Sequence, residues 1–157
     1  MNYGQPRSGG NYDRNSRPPA PTIDIGDVHF GDAMPELLFA DIAQKKAQVV
    51  AEAGRLARGK NKSTQLRKFY DELVMWHEKV AFEQSADKRL AKYKELAPYV
   101  KMMKAKVAYA RGRDHVDECF EKLFAHVIAQ ISSPETLKHA KLFMEAFMGF
   151  YKAEEKQ

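Results

Sequence analysis

The stretch PYVKMMKAKVAYARGR, Pro98 to Arg113, holds five basic residues, Lys101, Lys104, Lys106, Arg111 and Arg113, and no acidic one. Lys101, Lys104 and Lys106 have no carboxylate three or four residues away, so their own helix offers them no ion pair. Drawn at about 100° per residue, Val100, Met103, Val107 and Ala110 share one stripe. Lys104 and Arg111 line one border of that stripe, and Lys106 and Arg113 lie on the opposite side. Each pair is two turns apart, about 10 Å. Met102 and Tyr109 face away from the stripe, near Lys106 and Arg113. Rows of cations beside an aromatic suit phosphates spaced along a strand and a stacked base. The competing reading is a helix packed on two sides whose cations snorkel to water.

The charge balance of the chain points the same way. Of 157 residues, with formal net charge +5, the segment 55–113 holds 16 basic and 6 acidic residues, a local net of +10, and both flanks are net acidic. Such concentration is the electrostatic footprint of a protein that binds nucleic acid or another anionic surface. Arg67 and Lys68 are weaker candidates, because Asp71 and Glu72 stand four residues on and give each a local partner.

Other chemistry is poorly supported. GRLARGKN, Gly54 to Asn61, fits a phosphate-loop spacing, but Asn61 stands where Ser or Thr must hold magnesium, and the preceding QKKAQVVAEA reads as helix rather than strand. His115, Cys119 and His126 share one side of a helix, yet a closed zinc site needs four ligands and no Cys-x-x-Cys or second His pair is near. Packing residues with satisfied polar atoms describe them better. No nucleophile elbow or paired acid and base is present, so an enzyme is the weaker class, and no cofactor or metal is expected. Asn61-Lys62-Ser63 matches a glycosylation sequon, which has no consequence without export. A single cysteine, no secretory leader and no long apolar run place the chain in the cytoplasm without a membrane partner.

The elements that must position the cations are helical. Residues 1–21, rich in Gly, Pro, Asn, Ser and Arg, read as a disordered tail, and 22–157 as one domain. After the short alternation of TIDIGDVHFGD, Pro35 opens a first helix through about Arg58, with Leu38, Ile42, Val49, Ala53 and Leu56 on its stripe. Asn61 or Ser63 caps a second, whose stripe is Leu66, Phe69, Tyr70, Leu73, Trp76, His77 and Val80. A break is expected near Gln84 to Asp87, and Pro98 starts the cationic helix. Val116, Cys119, Phe120, Leu123, Val127 and Ile131 mark a fourth helix. Ser133 and Pro134 open the last. That last helix is apolar on more than one face, which favours a central place in the bundle, with the ends of Met148 and Tyr151 as wet contact sites. The expected fold is all-α, a single bundle of about five helices with short connections.

Three segments, NKSTQLRKFYDELV (61–74), KAKVAYARGR (104–113) and FMEAFMGFYK (143–152), together resemble the small subunit of the type III-A CRISPR effector, the Csm complex. The likeness runs from about Asn61 to Lys152 in the right order, and the tail and first helix add nothing to it. The resemblance implies a non-catalytic helical protein, several copies of which stack along a ribonucleoprotein in antiviral defence and contact guide RNA, target RNA and other subunits. It carries Lys62, Arg67, Lys68, Lys104, Lys106, Arg111 and Arg113 over as sequence-neutral phosphate contacts, and Lys101 joins them on charge pattern alone. Base pairing to the guide would supply specificity, leaving backbone and shape to the protein. The alternative is a helical adaptor whose basic surface docks on an acidic partner protein.

Overall fold

A computed structural model describes residues 19–155. The expected tail lies outside the described residues except for Pro19 to Pro21, and the Pro21 carbonyl accepts a hydrogen bond from Cys119 Sγ at 3.0 Å. From there to Gly31 the chain is a strap without regular structure that is held against the bundle. Lys122 Nζ donates to the Ile23 carbonyl at 3.1 Å, His126 Nε2 lies 2.8 Å from the Val28 carbonyl, and Gln130 Oε1 accepts from Phe30 N at 3.1 Å. Ile23 and Val28 are buried, and the buried Lys46 pairs with Asp27 of the strap at 2.8 Å. The brief alternation of apolar and polar residues is therefore the signature of a packed strap: apolar side chains enter the core while backbone groups find side-chain partners.

Among the described residues there are five α-helices and no strand: α1 Ala43–Leu56, α2 Ser63–Ala81, α3 Ala86–Gly112, α4 Glu118–Ala129 and α5 Pro134–Glu154. A π-helical turn, Leu38–Ile42, precedes α1, and Ala40 within it leaves helical geometry (φ −121°, ψ −106°). The first regular helix thus begins later than Pro35, with Leu38 buried where this turn meets α5. The buried stripe of α1 is Ala43, Ala47, Val50, Ala51 and Ala53, whereas Leu56 is exposed. Small residues let α1 approach α5 closely.

α5 is central, packing on α1 and α2 and touching α3. Ser133 and Thr136 form a reciprocal capping box and Pro134 occupies the first turn, which fixes where the helix starts. Leu137, Ala140, Phe143, Met144, Phe147 and Tyr151 are all buried. Tyr151 is not a wet contact site: its hydroxyl donates to the Asn61 carbonyl, and burial pushes its pKa far up. Phe120 and Phe124 of α4 contact Phe69 of α2 at ring-centroid distances of 5.7 and 5.2 Å, completing the core.

The largest departure from expectation is α3, which runs unbroken through Pro98. Tyr93, Val100, Met103, Val107 and Ala110 are buried, with Leu96 and Ala97 packed beside them, at steps of three, four and seven on both sides of the proline. Pro98 is on the exposed side, so its ring meets water and the continuous apolar stripe outweighs one lost backbone hydrogen bond. The break expected near Gln84 is present: α2 ends at Ala81, and Ser85 caps α3 by accepting from Lys88 N at 3.2 Å.

Candidate nucleic-acid interface

α2 and α3 are antiparallel neighbours, and three contacts fix their register. Asn61 N donates to the His115 carbonyl at 3.0 Å, Lys106 Nζ reaches Glu72 Oε1 at 2.6 Å, and Trp76 stacks on Tyr99 with centroids 5.8 Å apart. Lys68 sits one turn before Glu72 on the same face of α2, and Tyr109 and Arg113 follow Lys106 on α3. The register therefore sets Lys68 across the seam from the Tyr109 to Arg113 stretch. Tyr109 is 66% exposed, and Arg113 lies over its ring at 5.8 Å while its Nη1 donates to the Tyr109 hydroxyl at 3.0 Å.

The eight basic residues singled out by sequence do not form one surface. Lys106 and Arg113 border the α2 seam with Lys68, and Lys62 stands at the start of α2, whose first turn has no side-chain cap. Arg67 is exposed beside Asp71 at 3.7 Å, a loose pair. On the other border of α3, Arg111 Nε meets Glu121 of α4 at 2.9 Å, and Lys104 is exposed. Lys101 belongs elsewhere. Its ammonium donates to the carbonyls of Ile128 at 2.8 Å, Ala129 at 3.3 Å and Ile131 at the end of α4. The Ile128 carbonyl also accepts from Ile131 N at 3.2 Å, and a cation beside a helix C-terminus complements the helix dipole. Burial lowers the Lys101 pKa. Lys101 thus closes the end of α4, a role that its charge pattern does not announce.

Sequence spacing finds partners along a helix and misses those across helices. Lys106 has no acid within four residues, yet it is paired through α2. Lys68 has Glu72 four residues on, but Glu72 instead accepts from Lys106 and from Trp76 Nε1. Among the described residues, Lys62, Lys68, Lys104 and Arg113 are exposed and make no ion pair.

The remaining candidates resolve into structural roles. Asn61 is buried, in the left-handed region at φ 63°, and every polar group it has is engaged. Its side-chain amide donates to the Val50 carbonyl at 3.1 Å and to Asp117 Oδ1 at 2.7 Å, and its Oδ1 accepts from Asp117 N at 2.8 Å. Asp117 in turn caps α4 through Phe120 N at 3.1 Å. Asn61 therefore joins α1, α4 and α5 rather than capping α2, a role invisible in sequence because its partners are 11 to 90 residues away. Gly54 serves the same junction: a Cβ there would meet the Lys60 carbonyl oxygen at 2.5 Å. The loop that mimics a phosphate-loop spacing is thus a close crossing between helices, and Lys60 is paired with Asp114 at 3.1 Å.

Cys119 and His126 each face a strap carbonyl, whereas His115 is exposed. The Cys119 thiol pKa is pushed up to about 12, first by burial and then by Asp117. An open groove between the far ends of α2 and α3 is lined by Met75, Phe82 and Leu96 and rimmed by both signs of charge, Glu78, Glu83 and Glu95 with Lys79 and Lys92, and Lys92 is paired with Glu83 and Glu95. No helix among the described residues is long and apolar enough to cross a membrane.

No curated protein and no solved structure matches the chain. The family model described as Csm2 Type III-A matches residues 41–157, which takes in α1 as well as the three segments that carried the resemblance. With that match over an all-helical bundle, the chain belongs to the Csm2 Type III-A family, the small subunit of the multi-subunit type III-A CRISPR complex.

Proposed function

We propose that this subunit is non-catalytic and binds RNA through sequence-neutral phosphate contacts, in several copies stacked along the complex beside the guide and its target. The observation that carries the reading is the exposed, carboxylate-free state of Lys62, Lys68, Lys104 and Arg113, three of which surround the α2/α3 seam. Cations already neutralised by carboxylates gain less from phosphate than cations facing water. Arg67, Lys106 and Arg111 form a second set that would exchange a carboxylate for a phosphate. Arg113 leads, because a guanidinium binds phosphate bidentately. Lys101 is left out of the contact set.

The test is binding of a labelled RNA of unrelated sequence, about 40 nucleotides long, across a salt series. Phosphate contact makes the logarithm of affinity fall against the logarithm of salt with a slope of about −0.7 per phosphate on a single strand. A slope between about −2 and −4 would match three to five contacts. Binding that ignores salt, or no RNA binding at low salt, would move the basic surface to an acidic protein partner.

A further inference from the structure

We infer that Tyr109 is a stacking site for one unpaired nucleobase, so that the preferred ligand of the α2/α3 seam is single-stranded RNA. This inference rests on the RNA-binding reading above and adds to it the class of RNA recognised.

Four observations carry it. Tyr109 has no part in the core: it is 66% exposed, on the face of α3 opposite the buried Val107 and Ala110. Among the described residues its ring contacts no other aromatic ring, and the guanidinium of Arg113 lies over it at 5.8 Å with Nη1 bonded to its hydroxyl at 3.0 Å. That arrangement fixes the ring's orientation and leaves exposed ring surface to water, which a base can cover. The surrounding face is low: Ala105, Ala108 and Gly112 are exposed, and a Cβ at Gly112 would meet nothing within 4 Å, so the backbone of a strand can approach. Two turns away on the same face, Met102 is 50% exposed and offers a polarisable surface to the neighbouring sugar or base.

The charges bracket this platform. Arg113 is beside the ring, the α2/α3 register places Lys68 across the seam, and Lys106 lies one turn back with its Glu72 partner. A nucleotide with its base on Tyr109 would have its phosphates between Lys68 and Arg113. A continuous A-form duplex presents only backbone and a shallow groove to a convex helix, and gives an exposed tyrosine nothing to stack on. A single strand presents both phosphate and an open base face.

The experiment uses the full chain and a 20-nucleotide RNA carrying one 2-aminopurine, alone or annealed to its complement, with Tyr109→Ala and Tyr109→Phe as variants. Stacking predicts that wild-type protein quenches the probe in the single strand. Tyr109→Ala should weaken single-strand binding about 5- to 160-fold, from the 1–3 kcal/mol that base and aromatic stacking contributes, and should lose the quench. Tyr109→Phe should retain both, and duplex affinity should be the same in all three proteins. The position is exposed, so equal helicity of the variants is expected and is checked first. If Tyr109→Ala binds the single strand as wild type does, the stacking inference is overturned while RNA binding stands. If Tyr109→Phe is as weak as Tyr109→Ala, the hydroxyl bond to Arg113 carries the effect and stacking is likewise overturned. If wild type binds neither RNA, the RNA reading itself falls.

Discussion

Two residues show how a side chain's role is set by what packs against it. Lys101 looks like its neighbours in sequence, but it closes the carbonyl end of α4. Lys101→Met keeps the aliphatic stem and removes the donor, so it should lower stability by about 1.5–3 kcal/mol, the contribution of hydrogen bonds from a charged donor, with RNA affinity unchanged. Chemical denaturation alongside an RNA titration checks both halves. His77 gives a pH dependence. Burial, then the nearby Lys141 and Lys138, lowers its pKa below 6.5, so the folded protein takes up a proton less readily than the unfolded chain. That contribution to stability is complete above pH 6.5 and is lost as pH falls below it, because protons then favour the unfolded state. Thermal midpoints measured across pH 5 to 8 should fall on the acid side, and His77→Gln should reduce that slope. Neither role is legible in sequence, since the carbonyls of α4 and the lysines of α5 reach these residues only through folding.

At the scale of elements, local rules were sufficient where a helix is defined by its own residues. The stripe Val100, Met103, Val107 and Ala110 is buried as its spacing requires, Val116, Cys119, Phe120, Leu123, Val127 and Ile131 in and beside α4 are likewise buried, and Ser133 caps α5 as its motif announces. They were insufficient where tertiary packing overrides a local signal. Pro98 reads as a start because proline suits a first turn, yet the stripe that continues through Tyr93 and Leu96 holds α3 together across it. α1 is hard to read in sequence for a different reason: its core face is built mostly from alanines, which carry little hydrophobic signal, and the larger Leu56 is exposed. An exposed proline inside a helix also marks unrealised stability. Pro98→Ala restores a backbone donor and a good helix former, and should raise stability by about 2 kcal/mol, less than the full ~3 kcal/mol propensity difference because the unfolded chain also gains freedom. A rise in thermal midpoint with unchanged RNA binding is the expected result; a fall would mean that α3 needs its irregularity at Pro98.

At the scale of the molecule, the sequence supplied the class of surface and the structure sorted its members. The excess of positive charge in residues 55–113 maps onto the end of α1, the turn after it, α2 and α3, but packing divides much of it between the α2 seam, the α4 border and a helix cap. Sequence spacing ranked Lys106 and Arg111 with Lys104 and Arg113, because carboxylates on neighbouring helices are not visible along the chain. By exposure and absence of an ion pair, Lys62, Lys68, Lys104 and Arg113 come first in the proposed contact set. The most direct test of that ranking is the salt dependence of RNA binding for the fourfold variant Lys62→Ala, Lys68→Ala, Lys104→Ala and Arg113→Ala, compared with wild type after equal helicity is established. We predict weak binding and a log–log slope flatter by about 3, four contacts at about 0.7 each. An unchanged affinity and slope would contradict the account and assign those four cations to something other than RNA.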